Sequence, residues 1–347
     1  MNKMPADIST NKTKLIRLPK DSNITRLFLT LVAIVIVAIV LKPHNFPSTS
    51  NIESIMKQLV EYGLMAFAVG ITMISGGIDL STVYIANMSG IVAGIYMRTF
   101  ISPEASLSEQ LMVSLVAMLI GILIGALCGI FNGILVAHFN IPAMLATLGT
   151  FQLFMGISVV ISGGTTISRI PGPFTTIGNY RIFGFVPIAF VIFIIIAILL
   201  SVMMSRTKFG TRIYLVGTNA KSSKFAGINN KAVLIKVYML AGILSSIAGL
   251  ISLARVNSAK ADFGSSYTMT GILIVVLGGV NPNGGFGSMT GVALAVVVLQ
   301  VLSSLLNMFQ NISNYYRDLI WGVALIGVLI LNYMISNGKI RKLKKKN

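Results

Sequence analysis

The stretch RTKFGTRIYLVGTNAKSSKFAGINNKAVLIK, residues 206–236, decides how this chain is read. It carries Arg206, Lys208, Arg212, Lys221, Lys224, Lys231 and Lys236 without one acidic residue, and it lies between two long apolar blocks. Lys and Arg resist translocation and favour the anionic inner leaflet, so a cationic island between hydrophobic spans predicts a cytoplasmic loop. Within it, Asn219 can N-cap a short helix from about Ala220 to Ala226, and Gly227 can end that helix in the left-handed conformation. Two polar turns cannot bury enough surface to be stable alone, so the rest of the loop or a partner must hold them. They read as a docking element; the plainer alternative is a cationic loop resting on lipid.

Composition agrees with a membrane setting. The 347 residues are 55% hydrophobic and 10% charged, with a mean hydropathy of +0.86, far more apolar than a soluble domain, where about a quarter of residues are charged. The net charge of +18 sits at the termini and in the central loop. That placement is topological, so membrane lipid is a partner and nucleic acid is not. A single cysteine, Cys128, excludes an internal disulfide framework, and His44 and His138 are too far apart in sequence to suggest a metal site.

Apolar blocks of about bilayer length lie near 25–41, 58–75, 82–99, 111–135, 143–162, 185–204, 233–254, 268–280, 289–308 and 317–335. The expected fold is therefore all-α: a polytopic membrane helical bundle of about ten spans, residues 27–335. A cytoplasmic tail, 1–26, precedes it, a basic tail, 336–347, follows it, and 206–236 is its cytoplasmic loop. No small-x-small cleavage site follows the first apolar run, so that run is an uncleaved span. Both termini are basic and expected inside, which requires an even number of spans. Segment 100–110 has Glu104 and Glu109 and no cation, as an outer loop can. Broken or re-entrant helices are expected at 75–82 and 278–288.

Gly121, Gly125, Gly129 and Gly133 recur every four residues, a smooth face for close helix approach, either within one subunit or between two. Asp79, in the run Ser75, Gly76, Gly77, Ile78, Asp79, Leu80, Ser81, is either an N-cap for the third span or a contact in a polar cavity. With Ser81, Thr82, Asn87 and Asn281 it makes up the candidate lining of a translocation pathway. The run from Leu277 to Gly287 lacks the Lys and Ser or Thr of a phosphate-binding loop, and GxxxxGK[ST] occurs nowhere. No nucleophile, base and orienter can be proposed from spacing, so the chain is not expected to be an enzyme.

The runs GGIDLS at 76–81, TLGT at 147–150, RTKFGTRIYLVGTNAKSSKFAGI at 206–228, AGILSSIAGLISLAR at 241–255 and LGGVNPNGGFGS at 277–288 resemble, in order, the permease subunits of ribose-type sugar ABC importers, over about residues 58–333. The resemblance implies a type II importer-like bundle in the bacterial cytoplasmic membrane and a second permease copy or paralogue. It also implies an ABC ATPase subunit that binds the ATP, so that this chain needs no cofactor, and an extracytoplasmic sugar-binding protein. It gives the loop a coupling role, carried by Gly210, Gly217, Asn219, Lys221, Phe225, Ala226, Gly227 and Ile228. Tyr267, Thr268, Met269 and Thr270, with Thr82, Val83 and Met155, depart from the usual pattern and leave the solute open among pentoses, hexoses, polyols, a furanose-type signalling sugar and a nucleoside. The alternative reading is an ion-coupled secondary transporter or channel. Such carriers usually need several mid-membrane ionisable groups, and Asp79 is the one strong candidate seen in the sequence.

Overall fold

The computed structural model describes residues 22–309 apart from position 103, together with positions 316, 319, 320, 322, 323 and 326. Residues 1–21 of the first tail, the basic tail 336–347 and most of the tenth apolar block, 317–335, lie outside the described residues, as do Arg317 and Asp318. Helices follow the other nine blocks: α1 (Ser22–Leu41), α2 (Thr49–Ile74), α3 (Thr82–Phe100), α4 (Leu107–Ala137), α5 (Ala143–Ser162), α7 (Ile188–Arg206), α10 (Asn230–Val256), α11 (Tyr267–Leu277) and α12 (Met289–Asn307). Between them lie α6 (Gly172–Asn179), α8 (Lys208–Thr218) and α9 (Ala220–Phe225).

Six of the described helices, α1, α4, α5, α7, α10 and α12, are long and apolar enough to cross a membrane. That is fewer than the ten expected. Helices α2 and α3 have the length, at 26 and 19 residues, but α2 carries Glu53, Lys57 and Glu61, and α3 is interrupted by Asn87, Ser89, Gly90 and Gly94. Helix α11 has only 11 residues because the chain before it, from Asn257 to Ser266, is not helical. The described residues are mainly helical, as expected, with four very short strands besides. Two-residue strands pair antiparallel, β1 (Ile167–Ser168) with β4 (Ser258–Ala259) and β2 (Arg181–Ile182) with β3 (Val186–Pro187).

Burial sorts the helices into an inner and an outer set. In α10, 78% of the apolar window is buried, against 11% in α1, so α10 is interior and α1 is rim. Helix α10 packs against α2, α3 and α4, and α12 lies between α1 and α2. The α4 glycines explain the tightest of these contacts. A Cβ at Gly129 would lie 2.9 Å from the Cα of Met239, one at Gly133 2.7 Å from the Cα of Ile235, and one at Gly121 2.9 Å from Leu250. The Gly125 and Gly242 backbones touch in the same seam. The smooth face is thus packing inside one subunit, where van der Waals contact replaces the hydrophobic drive that lipid removes.

Helix directions define two ends. The ends of α2, α4 and α7 and the starts of α3, α5, α10 and α12 gather near α9, and Asn23 at the start of α1 lies against Gly279 there. The opposite end carries both strand pairs and α6, whose Gly178 backs onto Ala254 and Arg255 at the end of α10.

Candidate functional site

Helix α9 occupies the position that its caps dictate. The Asn219 side chain accepts from the N–H groups of Lys221 and Ser222, both at 3.0 Å, which satisfies two of the donors a helix start leaves free. At the other end Gly227 has φ +79°. The Gly227 N–H donates to Lys224 O at 3.0 Å and the Ile228 N–H to Ser223 O at 3.1 Å, the paired bonds of a left-handed helix stop. Asn230, in the first turn of α10, accepts from the Ser223 hydroxyl at 2.9 Å and donates to Ala220 O at 2.7 Å. Six residues are thereby held rigidly without a core. Lys221, Ala226 and Phe225 face outward, Phe225 being 93% exposed, while Ile228 packs against the main core. All seven cations of the 206–236 stretch are exposed.

Helix α8, absent from the sequence expectation, connects α9 to the bundle. Thr207 caps it by accepting from the Gly210 N–H at 3.1 Å, and Gly210 lets its backbone touch Met203 and Met204 of α7. Its C-terminal residue but one, Gly217, sits where three chains meet. The Gly285 N–H donates to Ile74 O at 2.8 Å, and a Cβ on Gly217 would reach Ile74 O and lie 2.7 Å from Gly285 N. Gly76, at φ +95°, and Gly284, at φ +84°, complete the junction, a Cβ on Gly284 lying 2.7 Å from the Gly76 Cα. The Tyr214 hydroxyl donates to Gly287 O at 2.7 Å. The two glycine-rich breaks and the end of α8 therefore touch backbone to backbone. Beside them is a half-open cavity of about 360 Å³, lined among others by Gly77, Pro142, Thr218, Tyr238 and Asn283.

Of the candidate pathway residues, Asp79, Ser81 and Asn281 make bonds within these breaks, whereas Thr82 and Asn87 do not. Asp79 is fully buried, and its Oδ1 accepts from the Ser81 N–H at 2.9 Å and the Ser81 hydroxyl at 2.7 Å. The N-cap of α3 is Ser81, not Asp79, and its side chain caps nothing. The reason is local: the Asn132 amide donates to the Ser81 hydroxyl at 2.8 Å, and that hydroxyl donates onward to Asp79. Thr147, from the TLGT run, ties the break to α5 by accepting from the Leu80 N–H at 3.1 Å, its hydroxyl hydrogen being within reach of Ala143 O at 2.8 Å and of Ile78 O at 3.1 Å. Thr82 is buried at the first position of α3. The Asn87 amide donates to Ala261 O at 3.0 Å and Phe263 O at 2.8 Å, which satisfies non-helical backbone that hydrocarbon could not. Asn281 closes its own turn, accepting from the Asn283 N–H at 3.0 Å. For Asp79, replacement by Ala is expected to abolish uptake and replacement by Asn to preserve part of it. Asn keeps an acceptor for Ser81, whereas Ala leaves a buried donor unpaired at about 1–3 kcal/mol. Transport assayed at matched membrane levels checks this, and an Asn variant as inactive as Ala would point to the charge instead.

Residues 51–329 match the family described as the permease component of branched-chain amino acid transport systems. The chain belongs to this permease family. It is 32% identical to the ribose import permease protein RbsC of Bacillus subtilis over 308 residues, 88% of this chain and 91% of that one. It is 30% identical to the autoinducer 2 import system permease protein LsrD of Photorhabdus laumondii, over 90% of this chain and 92% of that one. It is also 30% identical to RbsC of Escherichia coli K12, over 88% and 92%. No solved structure matches it.

Two further features of this permease escaped the sequence reading. The three-way glycine contact is one. The other lies at the end opposite α9, where Arg255 of α10 donates to Glu61 of α2 through Nε to Oε1 at 2.6 Å and Nη2 to Oε2 at 3.0 Å. Glu61 is 1% exposed, so Asp79 is not the sole buried carboxylate of the permease. A Glu inside the apolar run 58–75 was the available signal, since such a group needs a partner. Around it, Glu53 meets Lys57 and Arg181, both at 2.8 Å, and Gln300 donates to Gln58 at 3.1 Å.

Proposed function

We propose that this permease is the membrane-spanning subunit of an ATP-driven importer for a sugar or sugar-like solute, a type II importer-like bundle of about ten spans. A separate ATPase subunit energises it, and an extracytoplasmic sugar-binding protein feeds it. Both termini and α9 face the cytoplasm, in keeping with the exposed cations around α9 and with α1 starting at the same end. The observation that carries the reading is the backbone contact of Gly217 with both glycine-rich breaks. Closure of the ATPase domains presses on α9, whose caps and tie to Asn230 keep it stiff. The push passes through α8 to Ile74–Gly76 and Gly284–Gly285, where α2, α3, α11 and α12 begin or end, and these helices rock to open the pathway inward. The relatives' names, for ribose and autoinducer 2 import, support a small hydroxylated solute.

The test compares Gly227→Val with the pair Lys221→Gln, Lys224→Gln. A Cβ at Gly227 meets nothing within 4 Å, so the cost is backbone strain alone, about 1 kcal/mol or more for a β-branched residue at positive φ. Gly227→Val is expected to insert normally and to lose both co-purification of the ATPase and uptake of ribose or autoinducer 2 into vesicles, while the lysine pair retains both. A Gly227→Val protein that keeps its ATPase and its uptake would sink the coupling role. Greater harm from the lysine changes would make the loop a lipid anchor.

A further inference from the structure

At the end opposite α9, the first three turns of α2, the end of α10 and Arg181 of β2 enclose another cavity, of about 240 Å³, and every side chain that lines it is charged or polar. Its charges do not cancel. Lys57 and Arg181 share Glu53, both at 2.8 Å, and Arg255 takes Glu61, so three cations meet two carboxylates and one positive charge is left over. Unspent donors lie on the same cations. Arg255 gives Nε and Nη2 to Glu61, and Arg181 gives Nε to Glu53. A guanidinium carries five N–H donors, so Nη1 of Arg255 and both terminal nitrogens of Arg181 remain without an acceptor among the described residues. Such a fork matches the oxygens of a phosphate.

The β2–β3 hairpin beside the cavity sets its depth. Tyr180, Phe183 and Phe185 are exposed on it, Phe183 at 90%, and β3 leads directly into α7, one of the helices apolar enough to cross a membrane. Aromatic rings at the end of such a helix mark the head-group level of a bilayer. A phosphate at that level belongs to lipid. We infer that the cavity binds the phosphodiester of an anionic glycerophospholipid of the phosphatidylglycerol class between Lys57, Arg181 and Arg255, while Phe183 and Phe185 enter the leaflet beside its chains. The single negative charge of that head group cancels the surplus positive one, and its glycerol hydroxyls suit Ser54 and Gln58, which also line the cavity. Phosphatidylethanolamine would instead set an ammonium beside three cations. Assigning this lipid to the outer leaflet rests on the importer reading above; the site itself does not.

The full-length permease, purified and delipidated in a neutral detergent, is heated with rising amounts of phosphatidylglycerol, phosphatidylethanolamine or inorganic phosphate, and the monodisperse fraction is scored against the same protein without additive. Phosphatidylglycerol is expected to protect and the other two are not. Arg181→Gln and Lys57→Gln should each need about tenfold more phosphatidylglycerol for half-maximal protection, the loss of one charge-assisted contact. Glu53→Gln should need no more than wild type. Lys260→Gln, which removes an exposed lysine paired with Asp262 beyond the end of α10, should change nothing. Equal protection by phosphatidylethanolamine would overturn the charge argument, and equal protection by inorganic phosphate would make the occupant a free anion rather than a lipid. A loss in Lys260→Gln as large as in Arg181→Gln would reduce the effect to general surface charge. Asp318 lies outside the described residues, and a response to phosphatidylglycerol that appears only in Asp318→Asn would give the cavity to the chain's own carboxylate. An Arg181→Gln permease with an unaltered lipid response and lost uptake would give it to a protein partner. The assay contains neither ATPase nor solute, so a negative result leaves the importer reading standing, whereas a permease that never co-purifies with an ATPase removes that reading and leaves the lipid site untouched.

Discussion

Gly217→Ala is expected to abolish solute uptake while the ATPase still binds. The added Cβ would strike Ile74 O and lie 2.7 Å from Gly285 N, the two atoms joined by the 2.8 Å bond between the breaks. All the neighbours are backbone, so no rotamer change gives relief. Either the end of α8 moves away or the bond opens, at about 1–3 kcal/mol for the overpacking and about 1–3 kcal/mol for a buried donor left unpaired. The spans are untouched and the caps of α9 are intact, so insertion and ATPase docking survive, in contrast to Gly227→Val. What is lost is transmission, read as solute moved per ATP hydrolysed in proteoliposomes. Gly172→Ala, where a Cβ meets nothing within 4 Å, is the matched control. A Gly217→Ala transporter with an unaltered ratio would show that α9 acts through some route other than this contact.

The same contrast marks what the sequence could and could not convey. Helix α9 was legible because its determinants are local: Asn219 caps residues two and three positions on, and Gly227 turns the chain at the next step. The breaks at 75–82 and 278–288 were legible from their glycines, and nine apolar blocks coincide with helices. Their meeting was not legible, because Gly76, Gly217 and Gly285 come together only through tertiary packing and a glycine advertises freedom rather than a partner. Asp79 misled in a related way. A carboxylate just before a span looks like a cap, yet the helix starts at Thr82 and Asn132 of α4 helps turn Ser81 toward Asp79. The stripe of α4 glycines left two partners open until α10 was seen to fill it. Strands of two residues carry no detectable period, so β1 to β4 had no signature at all.

Breaking the Glu61–Arg255 pair is expected to be the most destabilising single change in the bundle, and removing both charges to be far milder. A buried ion pair gains little over a well-packed apolar pair, but a lone charge left behind costs about 3–5 kcal/mol. The two singles should also differ. The Glu61 side chain is 1% exposed and that of Arg255 24%, so Arg255→Met strands a carboxylate with no route to water, whereas Glu61→Met leaves a guanidinium that can still be partly hydrated. The expected order of thermal stability is wild type, then the Glu61→Met, Arg255→Met double, then Glu61→Met, with Arg255→Met lowest. Purified protein heated in detergent and scored for the monodisperse fraction gives that order, and the double-mutant cycle isolates the coupling between the two side chains. A double variant no more stable than the worse single would mean that the methionines themselves do not fit between α2 and α10, and that shape rather than charge holds these helices together at the end opposite α9.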